Sequence, residues 1–387
     1  MMKSNKRIRW LSLTAILIAA ACLLNPAAAR AEDSWENVGR IVAIGDVHGD
    51  YNQFVTLLRQ SGLIDEKDDW IGGATHLVQT GDVPDRGPDT RKAMDLLMKL
   101  EGQARKSKGY VHALIGNHEA MNVYGDLRYV HAGEYAAFQT PRSEQVRDRA
   151  YEEYVRQIKD TRPREQWPDF EAGYRALWEK EYPLGYFEHR QAFSPSGKYG
   201  KWIIDHNVII KINDILFLHG GIGPNYASST VREINKQARE AFRDFNLLNG
   251  GLLVDSEGPL WYRGLANNED AAEGPHLEAV LKNFGAKRIV IGHTPTAGTV
   301  IPRFEGRVLM IDVGLSEAYG RRLACLVVEG GEFYSLHRGE KLPMPADSGP
   351  GLLEYLKKAA SLDPQPSPLL PLITSLENKL QAVGTGN

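Results

Sequence analysis

Seven short apolar runs punctuate the chain, and five of them end beside glycine and a histidine, asparagine or aspartate. The runs cover residues 40–44, 76–80, 111–115, 215–218, 288–291, 308–311 and 323–328. Their length and β-branched content predict strands. Helical patterns lie between several of them, at 52–60 behind Asp50 as a candidate N-cap, at 90–106 after the turn at Pro88, and at 277–283. Strands alternating with helices predict an α/β layered domain.

One stretch breaks that rhythm. Residues 134–182 are charged, rich in Arg and Tyr and helical in pattern, with Trp167 and Trp178 as expected packing anchors. They read as a helical insertion, either a lid beside a site or a peripheral layer. The expected domain order is a signal peptide at 1–31, a catalytic domain at 32–345 containing the insertion, and a Pro- and Ser-rich tail at 346–387 with an apolar patch at 369–376.

The signal assignment rests on Lys3, Lys6, Arg7 and Arg9, an apolar run at 10–24, and Ala29-Arg30-Ala31 at the expected cleavage point. The run is shorter than the roughly 20 residues of a membrane-spanning helix, so the mature chain is expected to start near Glu32, exported to a periplasm or medium and without a stable membrane span. A lipid attached at Cys22 is the lesser alternative. Losing five basic residues and no acidic ones moves the formal charge from −3 to −8, which argues against nucleic acid or an anionic membrane as partner. Cys325 then stands as the one mature cysteine, so no intrachain disulfide is expected. With 42% hydrophobic and 25% charged residues the chain can bury a sizeable core.

The strand ends deliver a matching set. Residues 45–50 read Gly-Asp-Val-His-Gly-Asp, residues 81–87 read Gly-Asp-Val-Pro-Asp-Arg-Gly, and residues 116–119 read Gly-Asn-His-Glu. Later come His219-Gly220-Gly221 and Gly292-His293-Thr294. In layered α/β folds ligands bind at that end of the strands. Asp46 and His48, two residues apart on a turn, can reach one divalent cation, and Asp82 on the next strand can bridge two. Asn117 offers a neutral oxygen, and His219 and His293 are expected to supply one imidazole per metal. Mixed oxygen and nitrogen donors suit Mn, Fe or Zn better than Ca or Mg, and two such ions form a clamp for in-line displacement at phosphorus by hydroxide. His118 is then free to act as general acid, with Asp85 holding its other nitrogen. Arg86 supplies a planar fork for phosphate oxygens, and Glu119 supports its loop. His76, His112, His131, His189, His206, His276 and His337 lack this context and read as surface or packed residues.

These motifs, across about residues 40–328, resemble the phosphoprotein phosphatase group of calcineurin-like metallophosphoesterases. The runs "GNHEAMNVYGDLRYV" at 116–130 and "LFLHGGI" at 216–222 are similar to its Shewanella-like branch. The resemblance implies a β-sandwich flanked by helices with a dimetal site at one edge. It implies Asp46, His48, Asp82 and His293 on one metal and Asp82, Asn117 and His219 on the other, with His118 and Asp85 as the acid pair. It also implies Arg86 and, from "PLWYRG" at 259–264, Arg263 as phosphate clamps.

Where serine/threonine members of the group carry Ser-Ala-Pro-Asn-Tyr-Cys, residues 312–322 read "DVGLSEAYGRR". That departure turns the expectation toward phosphotyrosine, a preference found in the Shewanella-like branch. The expected function is an exported phosphomonoesterase acting on phosphoprotein or phosphopeptide. A hydrolase of dinucleoside polyphosphates or other small phosphate esters is the nearest alternative, and a non-catalytic metal-binding interaction module the alternative from another class.

Overall fold

The structure is a computed structural model that describes residues 32–345 and 349–384. The expected signal peptide, with Cys22, lies outside the described residues. The strands are β1 (Ser34–Trp35), β2 (Arg40–Ile44), β3 (His76–Gln79), β4 (Tyr110–Ala113), β5 (Ile209–Ile212), β6 (Ile215–Leu218), β7 (Arg288–Ile291), β8 (Ile301–Arg303), β9 (Val308–Met310), β10 (Ala324–Glu329), β11 (Glu332–His337) and β12 (Glu340–Pro343). They build two six-stranded sheets, ordered β12-β11-β10-β2-β3-β4 and β1-β5-β6-β7-β9-β8.

Each sheet contains a parallel run, β2-β3-β4 at one side of the first and β6-β7-β9 within the second. Because side chains alternate across a strand, Ile41 and Ala43 face one way and Val42 and Ile44 the other. The first pair joins Val78, Ile210, Ile212, Phe217, Val290 and Leu326 in a buried cluster drawn from both sheets. The second pair joins the larger cluster with Phe54, Leu57, Leu97, Ile234 and Leu277, which come from flanking helices. The result is a β-sandwich covered by helices, as expected.

Helix Tyr51–Gln60 begins where Asp50 accepts from the Gln53 amide at 3.1 Å, which satisfies one of the amides left free in a first turn. Helix Thr90–Lys106 has the expected limits, and the pattern seen at 277–283 is the buried end of Asp270–Phe284. The helices of the charged stretch are Ala132–Ala137, Ser143–Thr161 and Ala172–Glu181, and Tyr186–Phe193 follows it. Trp178 is buried among Tyr151, Tyr182 and Phe187, whereas Trp167 is half-buried and donates to the Arg162 carbonyl. Helices Pro350–Leu362 and Leu370–Gly384 pack together through Leu356, Ala359, Leu369 and Ile373. Cys325 is a buried free thiol, pushed up to about 12 by burial. Among the described residues no helix is long and apolar enough to cross a membrane.

The parallel runs place the site. Ile44 pairs with Gln79 and Gln79 with Ala113, while Leu218 pairs with Ile291 and Ile291 with Met310. All these strands end in register, so the loops that follow them converge on one edge of the sandwich.

Candidate active site

The tight approach of the loops depends on two glycines. A Cβ on Gly116 would run into the Asp82 carboxylate, and one on Gly81, whose φ is +97°, would strike the Gly116 backbone. Residues 116–119 differ from the sequence reading: β4 stops at Ala113, and Asn117 opens a helix, Asn117–Tyr124. Asn117 and His118 thus stand in a first turn. Glu119 accepts from the amides of Gly116 (2.8 Å), Asp82 (2.8 Å) and Val83 (2.7 Å), tying two loops together. Burial, with Asp82 beside it, pushes its carboxyl up to about 7.

Asp82 lies at the centre. Its Oδ2 is 3.2 Å from His219 Nε2, 3.7 Å from His118 Nε2 and 3.9 Å from His48 Nε2. Asp46 accepts from the His293 amide at 3.0 Å and places its other oxygen 3.8 Å from His48 Nε2. Carbonyl oxygens only accept, so Thr80 O at 2.9 Å and Pro84 O at 3.2 Å put the ring protons of neutral His219 and His48 on Nδ1. His219 Nε2 then presents a lone pair to Asn117 Oδ1 (2.9 Å) and the Asp82 carboxylate, with His293 Nδ1 3.0 Å away. Lone pairs converging at such distances repel one another unless a cation lies among them. The donor set therefore fits divalent metal.

Charge in the site follows the same logic. Burial, then Asp312 and Asp82, holds the Asp46 carboxyl well above its ordinary range. Burial opposes ionisation of Asp82 too, but His219, His118 and His48 outweigh it and hold that group well below. Burial drives His48 down to about 3 and lowers His293, keeping both imidazoles neutral, as ligands must be.

The imidazoles are grouped differently from the expectation of one per metal. Asp82, His219 and His293 form one compact group of donors, with Asn117 beside His219. The other side is formed by His48 and Asp82 with Asp46. His118 also reaches that second group through Nε2, 3.7 Å from Asp82 Oδ2, while its Nδ1 bonds Asp85 Oδ2 at 2.5 Å. The correction has a simple cause: β6 and β7 are hydrogen-bonded neighbours, so their two histidines leave the sheet side by side.

Asp85 is fully buried and receives Asn122 Nδ2 on its other oxygen at 2.9 Å. Burial pulls the His118 imidazole down, but Asp82 and then Asp85 outweigh it and raise it above its ordinary value. Arg86 lies 4.5 Å from the Tyr129 ring centroid and 5.4 Å from that of Tyr319, with its Nε buried and unpartnered. Tyr319 in turn stacks on His48 at 5.3 Å. Arg263 Nη1 donates to His293 O at 2.8 Å and to Thr294 Oγ1 at 2.9 Å. Arg86 and Arg263 thus flank the donor cluster.

Sequence reasoning missed Asn122, Tyr129, Asp312, Tyr319 and Glu134. Asn122 had a signal, since it lies one helical turn beyond His118. Asp312 and Tyr319 belong to the 312–322 stretch noted only as a departure. Glu134, buried, accepts from the Asp85 amide at 3.3 Å and from Thr90 Oγ1 at 2.8 Å, so the start of the helical stretch is joined to the catalytic loops. The seven histidines set aside all have local partners or packing: His76 with His112, His189 with Glu134, His206 with Glu101, His337 with Asp363, His276 with a carbonyl and His131 with the Gly133 amide.

Residues 39–297 match the family profile described as calcineurin-like phosphoesterase. The chain is 34% identical to an uncharacterized protein of Schizosaccharomyces pombe, over 74% of this chain and 76% of that protein. It is 28% identical to Shewanella-like protein phosphatase 1 of Plasmodium berghei, over 72% of this chain and 67% of that one. A solved structure, the cold-active protein-tyrosine phosphatase of a psychrophile Shewanella species, shares 29% identity with a TM-score of 0.59, covering 80% of this chain and 82% of its own. With the site geometry, these matches show that the chain belongs to the calcineurin-like phosphoesterase family and is a metal-dependent phosphoric-ester hydrolase.

Proposed function

We propose that this enzyme is an exported protein phosphatase that favours phosphotyrosine, with His118 as general acid and Asp85 as the residue that holds it. The observation that carries the reading is the His118–Asp85 pair, buried beside the donor cluster and next to a guanidinium held between two tyrosine rings. The tyrosine lean is supported by the likeness to the Shewanella protein-tyrosine phosphatase and by the replacement of the serine/threonine-type motif at 312–322. Export is supported by the basic and apolar pattern of residues 1–31; recovery of a chain beginning near Glu32 from periplasm or medium tests it.

Two divalent cations, manganese in this reading, would be held by Asp46, His48 and Asp82 and by Asp82, Asn117, His219 and His293, and when bound they supply polarisation of water and phosphoryl oxygens. The chain's own contribution is orientation and proton delivery. Asp85 accepts from His118 Nδ1–H, which leaves Nε2–H to protonate the departing oxygen. Because that imidazole's pKa is raised, it carries both protons at higher pH than a free histidine does. Arg86 offers its fork to two phosphate oxygens while Tyr129 and Tyr319 restrict its rotation. Arg263, fixed on His293 O, grips from the other side.

The test is turnover of phosphotyrosine, phosphoserine and phosphothreonine peptides by residues 32–387, with manganese added and withheld and His118→Asn as control. Preference for the tyrosine peptide, lost in the variant, is expected. Metal-bound protein that is inert on every peptide but cleaves diadenosine tetraphosphate would replace this reading with the small-ester one.

A further inference from the structure

The loop carrying His293 leads away from the site into a buried polar network. Thr296 N donates to Asp312 O at 2.8 Å, and Thr296 Oγ1 donates to Thr299 O at 2.7 Å. At Gly298, φ is +127°, and a Cβ there would lie 2.8 Å from Arg322 Cδ and 3.3 Å from Pro368 Cγ. The fully buried Thr299 hydroxyl is 2.7 Å from Tyr355 OH and 3.2 Å from His337 Nδ1. His337 Nε2 is 3.1 Å from Asp363 Oδ1, and Asp363 also receives Arg338 Nε and Ser367 Oγ, each at 2.7 Å. Tyr355 OH donates to Val300 O at 2.8 Å, and Ala297 packs on the cluster of Leu356, Leu369 and Ile373.

The hydrogen bonds have a direction. An ionised Asp363 only accepts, so His337 donates through Nε2–H and leaves Nδ1 as an acceptor 3.2 Å from the Thr299 hydroxyl, whose one proton is shared between that nitrogen and Tyr355 OH. This carboxylate–imidazole–hydroxyl order is that of a hydrolase triad, but Thr299 and His337 are both fully buried. The hydroxyl cannot meet substrate; it fixes the backbone around 296–300. That backbone matters because His293 is held at a φ of +64°, a conformation that persists only where its surroundings over-determine it. Arg263 is anchored on the same segment, through His293 O and Thr294 Oγ1.

We propose that Asp363, His337 and Thr299 are positioning residues for His293 and Arg263, and that the C-terminal helical pair acts as a buttress of the catalytic edge. The network reaches beyond residue 297, where the family match ends. A slack 293–299 loop displaces a metal donor and a phosphate clamp together, and displacements near 1 Å are enough to cost catalysis about a hundredfold. The proposal rests on the metallophosphatase reading of the site.

The experiment compares Thr299→Val, Thr299→Ser and Asp363→Asn with wild type in the chain from residue 32, by three readouts: hydrogen exchange of the 293–300 amides, manganese affinity by calorimetry, and kcat and KM on a phosphotyrosine peptide. Expected for Thr299→Val and Asp363→Asn is faster exchange confined to 293–300, about tenfold weaker manganese binding, and lower kcat/KM, with Thr299→Ser restoring all three. If Asp363→Asn does not fold, the two Thr299 variants carry the comparison. Folded variants with wild-type manganese affinity and kcat/KM would overturn the buttress while leaving the phosphatase reading intact. A wild-type chain that neither binds manganese nor turns over would overturn that reading, and the proposal with it.

Discussion

Among the described residues, the buried pairs His118–Asp85 and His337–Asp363 look alike, yet their imidazoles shift in opposite directions. His118–Asp85 at the catalytic edge is 2.5 Å long, and His337–Asp363 under the C-terminal helices is 3.1 Å long. Burial pulls both imidazoles down, yet His118 ends above its ordinary value and His337 below it. The neighbours decide. His118 has a second carboxylate in Asp82 and donates from Nδ1, whereas His337 has only Asp363, which it shares with Arg338. A carboxylate partner alone therefore does not raise a buried imidazole; the charge balance of the next residues out decides the direction.

The largest expected break in that comparison is Asp85→Asn, which leaves His118 its packing but removes the acceptor charge. A fall in kcat of about 10²–10³ is expected, measured on phosphotyrosine peptide; a variant within twofold of wild type would place this pair with His337–Asp363 as structural. Next comes Asn122→Ala, which frees one oxygen of Asp85 while keeping its charge, with an expected kcat loss of about tenfold and a lowered melting temperature, because a buried acceptor loses its donor. A third pair, His206–Glu101 at 2.7 Å, sharpens the rule on stability. Burial lowers His206, but the Glu101 hydrogen bond outweighs it and the imidazole is raised above 6.5. Its stabilisation is therefore full below about pH 6.5 and is lost as pH rises through the raised folded value. The melting advantage of wild type over His206→Gln should be about 2–3 °C near pH 6 and shrink toward pH 9; an advantage that grows with pH would contradict the assignment. The smallest effect is expected from Arg338→Gln, which should move the His337 titration upward in an NMR experiment, because Arg338 is among the groups holding it down.

Much of the site was legible because its motifs sit in local sequence. Asp46 with His48, Asp82 with Asp85 and Arg86, and Asn117 with His118 are each neighbours in one loop, and periodicity marked the strands that deliver them. What was illegible depends on pairing across the chain. The grouping of His219 with His293 follows from β6 lying beside β7, and no spacing in the sequence reports which strands are adjacent. Tyr319 reaches His48 and Arg86 from more than two hundred residues away, and Glu134 reaches Asp85 from another helix. Strands β1, β5, β8, β11 and β12 were also unread. Two- to four-residue segments such as Ser34–Trp35 and Ile301–Arg303 carry too little alternation to stand out. The left-handed backbone at His48, Asp82, Asp85, Arg86 and His293 had no sequence signal either, since strain there is imposed by the surrounding loops.

The two sheets meet the site from separate halves of the chain: Asp46, His48, Asp82 and Asn117 follow strands of one, His219 and His293 strands of the other. A cation gripped by donors from both is a crosslink through the sandwich, formed and broken by mass action. At a free concentration a hundred times its dissociation constant, such an ion adds about 2.7 kcal/mol to the folded state. The lifetime of the native protein is then set partly by the metal content of the medium around it, and the same chelator that silences the enzyme also loosens the seam between its sheets.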